Sequence, residues 1–112
     1  MSRTTEIKLN VALDSNNLPE TITWHADDTD EPEAECKAFV LSLWDKQSAA
    51  SMRLELWNKD MLVDEMKQFI HQTMLGLSET YEKATGDAKL ANDVRDFCYY
   101  FAEKSGIITP QQ

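Results

Sequence analysis

The stretch from Val63 to Lys104 constrains this chain more than any other, because its apolar residues recur at helical steps over two consecutive runs. Val63, Met66, Ile70, Met74, Leu77 and Tyr81 form the first stripe. Leu90, Val94, Phe97, Cys98 and Phe101 form the second. Spacings of three and four put each set on one face of an α-helix. The break Thr85-Gly86-Asp87 separates the helices, and Gly106, free to take positive φ, is the expected stop of the second. The pattern carries packing information and no catalytic signature.

Upstream the period changes to two. Ile7, Leu9, Val11 and Leu13 alternate with Glu6, Lys8, Asn10 and Ala12, and Ile22 and Trp24 alternate with Thr21, Thr23 and His25. Asp14-Ser15-Asn16-Asn17 followed by Leu18-Pro19 supplies the turn, so the spacing predicts a β-hairpin with Trp24 on its core face. Asp30-Glu31-Pro32-Glu33 has the form of a helix capping box. Behind it Cys36, Phe39, Val40, Leu43 and Trp44 suggest a helix ending near Gln47, followed by a loop of small residues from Ser48 to Ser51. Met52, Leu54 and Leu56 then alternate with Arg53, Glu55 and Trp57, which predicts a third strand over Met52 to Asn58.

The resulting expectation is a single α+β domain over residues 1–112, in the order β-β-α-β-α-α. Its sheet would be a three-stranded antiparallel one of order 2-1-3, with three helices on one face. A chain of 112 residues suits one domain that buries about 65% of its unfolded surface.

The formal net charge is −9. Asp27, Asp28, Asp30, Glu31, Glu33 and Glu35 contribute six negative charges before Lys37. Lys and Arg are scattered singly, which disfavours nucleic acid and anionic membrane as partners. No apolar run approaches the roughly 18 residues of a spanning helix, and Met1 to Lys8 lacks the apolar region of a secretory signal, so the cytoplasm is the expected compartment. Cys36 and Cys98 sit on apolar stripes, which predicts free thiols in a monomer or weak homodimer.

Four segments resemble a known family: LSLWDK (41–46), RLELWNKDM (53–61), VDEMKQFIHQT (63–73) and DVRDFCYYFAEKSGII (93–108) are similar to the gliding motility protein GldC family. The likeness extends back to SRTTEIKLNVALD near the start. It implies a small soluble accessory protein of bacteria that glide over surfaces, associated with their motility and secretion machinery. It brings no catalytic residue, cofactor or ligand.

The residues themselves set few candidate sites. The acidic segment 27–35 lacks the spacing and central glycine of a calcium loop, so a solvated loop capping a helix is favoured over a metal site. A thiol of Cys36 or Cys98 with His71 is the one nucleophile and base pair available, and packing is the favoured reading of both cysteines. Met61, Met66 and Met74 suit either a core or an adaptable groove. His25 lies on the polar strand face with no partner at metal-ligand spacing.

Trp57 is different, because alternation sets a large apolar ring beside Arg53 and Glu55, away from Leu54 and Leu56. Trp57, Arg53, Glu55 and His25 are therefore the candidate partner-binding residues. A non-enzymatic protein that docks on a component of the gliding machinery is the leading expectation, with no cofactor and no metal. A small-molecule-binding or enzymatic domain with a pocket between sheet and helices, and a chaperone-like protein, remain alternatives.

Overall fold

The computed structural model describes residues 2–28 and 33–108. Its elements, in chain order, are strands β1 (Ile7–Leu13), β2 (Pro19–Ala26), β3 (Ala34–Cys36), β4 (Ala38–Trp44) and β5 (Ser51–Trp57), then helices α1 (Val63–Thr85) and α2 (Ala88–Ser105). They fall into two compact units, Met1–Met61 and Leu62–Gln112. Among the described residues the first holds the five strands and the second the two helices.

In the first unit β1 and β2 pair antiparallel from Ile7 opposite Ala26 to Val11 opposite Ile22, with an irregularity at Ala12 and Leu13. β3 joins the far edge of β2, with Cys36 opposite Ile22 and Ala34 opposite Trp24. Paired residues share a sheet face. Leu9, Trp24 and Ala34 therefore lie on one face with Val11, Ile22 and Cys36, while Asn10, Thr23 and Glu35 lie on the other. Ile22 on the central strand is fully closed off, at 0% exposure. Trp24 keeps 37%, so it shares the apolar face without being sealed in it.

The turn between β1 and β2 is built by Asp14. Its Oδ1 accepts from the amides of Asn16 at 2.8 Å and Leu18 at 3.1 Å, and Asn17 takes the left-handed conformation at φ 62°. A short polar side chain that bonds its own backbone two residues on is the usual maker of such turns.

Residues 34–44 overturn the expected first helix, and among the described residues two helices stand where three were expected. Cys36 lies on β3, and β4 pairs antiparallel with β5 over its whole length, from Ala38 opposite Trp57 to Trp44 opposite Ser51. Phe39, Leu41 and Leu43 share a face with Leu56, Leu54 and Met52. Val40 and Trp44 lie on the reverse, so both faces carry apolar residues and helical spacing is met by coincidence. The capping residues Asp30, Glu31 and Pro32 lie outside the described residues; Glu33 is exposed.

The expected sheet order of 2-1-3 is also replaced. β5 pairs with β4 in a separate two-stranded sheet, and the other sheet runs β1-β2-β3. β3 and β4 are parted only by Lys37, where the chain passes from one sheet to the other. The β4–β5 turn is closed by Asp45, whose Oδ2 accepts from Ser48 N–H at 2.7 Å and Gln47 N–H at 3.2 Å. Ala49 takes φ 53° there.

The helical unit follows its spacing. Glu65 accepts the Leu62 amide at 3.0 Å before α1, and Asp87 caps α2 by accepting the Leu90 amide at 3.1 Å. Gly86 and Gly106 end the helices at φ 74° and 85°. After Gly106, Ile107 N–H donates to Ala102 C=O at 2.9 Å, which satisfies a carbonyl the helix leaves unpaired. Ala91, Cys98 and Ala102 form the buried stripe of α2. The helices are tied by Arg95 to Glu82 at 2.8 Å and by Lys67 Nζ to the Ser105 carbonyl at 3.0 Å.

Candidate functional site

The strand unit contains a groove of about 380 Å³ lined by Leu18, Pro19, Glu55, Leu56, Trp57, Asn58 and Lys59. Two distant stretches meet there: the entry to β2 and the exit from β5. Asn58 N–H continues the β4–β5 ladder to the Lys37 carbonyl at 2.8 Å, and Lys59 N–H donates to the Pro19 carbonyl at 3.3 Å. Asn58 is buried, and its Oδ1 accepts the Asp60 amide at 3.1 Å. These bonds turn the chain after β5 and hold the groove's floor.

The rim is polar on one side. Lys59 Nζ lies 3.3 Å from Asp14 Oδ2 and 4.0 Å from Glu20 Oε1. The amides of Leu18 and Asn16 hold the Asp14 carboxyl below its ordinary range, with Lys59 adding a smaller pull. Bonding to Asp14, then the charge of Glu20, raises the Lys59 ammonium above its ordinary value. The walls are apolar, and Trp57 stands 56% exposed at the edge.

The four residues singled out from the sequence are not gathered in one place. Arg53 and Glu55 pair along β5, with Nε 3.0 Å from Oε2; Glu55 and Trp57 line the groove, and Arg53 is not among its lining residues. His25 lies six residues beyond Pro19 on β2, roughly 20 Å away at the rise of a strand. It is half-buried with Nε2 4.0 Å from Asp27. Leu18, Pro19, Lys59 and Asp14 were missed, because no local pattern links a turn residue to a lysine 45 positions away.

The acidic segment is used structurally where it is described. Asp27 accepts the Glu6 amide at 3.0 Å, and Asp28 pairs with Arg3 at 2.8 Å. No group of three or more His, Cys, Asp or Glu among the described residues could hold a metal ion. No helix among them is long and apolar enough to cross a membrane.

Burial pushes the thiols of Cys98 and Cys36 above their ordinary value, which disfavours the thiolate a nucleophile needs. His71 stacks on Phe101 with centroids 6.4 Å apart. Met61, Met66 and Met74 are half-buried.

No curated protein and no solved structure matches this chain. The family described as gliding motility-associated protein GldC-like matches residues 19–107. That span runs from β2 to the turn after α2 and takes in every groove residue but Leu18. The chain belongs to the GldC-like family of gliding motility-associated proteins.

Proposed function

We propose that this chain is a non-enzymatic accessory protein of bacterial gliding that works in the cytoplasm by docking another protein of the motility machinery at the Trp57 groove. The carrying observation is the combination of a half-exposed tryptophan, apolar walls from Leu18, Pro19 and Leu56, and a charged rim at Lys59. An aromatic anchor beside apolar contacts within a polar rim is the usual anatomy of an interface hot spot. Thiols kept from ionising and an imidazole stacked on an aromatic ring support a role without covalent chemistry.

A photo-crosslinking amino acid at position 57 in gliding cells tests this reading. The expected result is one specific adduct with another motility protein, together with impaired gliding by Trp57→Ser at unchanged folded content. Normal gliding by Trp57→Ser with no adduct would sink it. A second reading, a small apolar ligand in the same groove, is favoured by the volume, which lies within the usual few hundred Å³ of ligand sites. Binding of apolar dyes or fatty acids that Trp57→Ser abolishes would select it.

A further inference from the structure

We infer that β5 is a self-complementary edge through which two copies of this chain join, antiparallel about a two-fold axis at Leu54. β5 is hydrogen-bonded to β4 on one side, and among the described residues no strand pairs with its other side. A free edge offers a row of unpaired N–H and C=O groups to another strand. Pro and Gly, which would blunt it, are absent from Ser51–Trp57.

Leu54 is the midpoint of the seven-residue strand. Pairing about it sets Leu54 opposite Leu54, Met52 opposite Leu56, Arg53 opposite Glu55 and the small Ser51 opposite the bulky Trp57. Apolar residues thus meet apolar residues, and each cation meets an anion of the other copy. An isologous contact requires this match of a surface with itself. Opposite charges directly across an antiparallel pair are favourable, and like charges are not.

Charge also argues for a second copy over a charged partner. Asp45, Lys46, Arg53 and Glu55 cancel within residues 38–57, so the whole net charge of −9 lies outside the β4–β5 hairpin. Two acidic chains can meet at this neutral segment with little repulsion. The hairpin itself gains from the union, because two strands alone are marginal in water and four form a sheet. On its apolar face, Leu54 and Met52, now 61% and 63% exposed, would acquire cross-strand neighbours. The β4 edge holds no charge from Ala38 to Trp44 and sets no such register. The pairing uses the backbone edge of β5, whose Glu55, Leu56 and Trp57 also line the docking groove.

The test is sedimentation equilibrium of the full chain and three variants. The wild type is expected to be a dimer. Arg53→Glu sets carboxylate against carboxylate, Glu55→Arg sets guanidinium against guanidinium, and each is expected to weaken dimerisation roughly tenfold or more.

Mixing the two single variants restores a one-to-one dimer, and Arg53→Glu/Glu55→Arg restores a homodimer, because the opposition of signs returns. Restoration also shows that the single variants are folded. A monomeric wild type overturns the inference. So do single variants that dimerise as well as wild type, and a mixture that stays monomeric.

Discussion

Lys59 and Asp14 are 45 positions apart in sequence, yet Nζ and Oδ2 lie 3.3 Å from each other. The contact ties the β1–β2 turn to the segment that follows β5, beside the groove. Asp14 serves the turn with one oxygen and the lysine with the other. The turn-builder and the groove's polar rim are therefore the same side chain.

Asp14 should make stability fall on the acid side. Amides of Leu18 and Asn16, and then Lys59, hold its folded-state value below the ordinary 3.8. The unfolded chain thus binds the proton more readily. The stabilisation is complete above the unfolded value and is lost as pH falls through the folded one. Urea unfolding from neutral pH down to about pH 2 should show a shallower acid-side loss in Asp14→Asn than in wild type. Matching slopes would remove Asp14 as a source.

Ile22, and not Trp24, Trp44 or Trp57 on the strands, should be the costliest truncation in the strand unit. It is sealed at 0% exposure, whereas Leu43 on β4 stands 54% exposed. Ile22→Ala should cost about 3 kcal/mol through lost contacts and a cavity, and Leu43→Ala about 1 kcal/mol or less. Denaturant titration of both variants checks the order. Equal costs would mean that β4 is packed in the folded chain as tightly as β2.

Gly106 and Gly76 should respond oppositely to alanine. A Cβ at either would meet nothing within 4 Å, but Gly106 sits at φ +85° and Gly76 lies within α1. Gly106→Ala should lose about 1 kcal/mol, because a left-handed backbone crowds a Cβ against the following carbonyl. Gly76→Ala should gain about 0.5–1 kcal/mol, because alanine loses less backbone freedom than glycine in a helix. Paired thermal melts decide this, and a loss at both positions would show that Gly76 is needed for a contact.

The two thiols should label at different rates in the native protein. Cys98 is buried on α2 and Cys36 is half-buried on β3. A neutral thiol reagent should modify Cys36 first, and Cys98 only on opening or unfolding, because desolvation lowers both access and thiolate content. Equal native rates, followed by mass spectrometry, would show that the α2 stripe opens freely.

Sequence alone determined the β1–β2 hairpin and both helices, since each has one consistent period and local punctuation at Asp14 to Asn17, Gly86 or Gly106. It also separated Trp57 from Leu54 and Leu56, because alternation along a strand is a local property. The sequence could not decide residues 34–44. Cys36, Phe39, Val40, Leu43 and Trp44 satisfy helical steps, while Phe39, Leu41 and Leu43 satisfy a strand. The tie is broken by β5, whose backbone pairs with β4 from Ser51 to Trp57.

The groove followed from the same cause. Its walls come from Leu18 and Pro19 on one side and Leu56 to Lys59 on the other, joined by Lys59 N–H to the Pro19 carbonyl and by the Asp14 ion pair. Periodicity registers how neighbours along the chain share a face. Only tertiary structure decides which distant strand edges find each other, because that choice rests on hydrogen bonds and contacts between residues far apart in sequence.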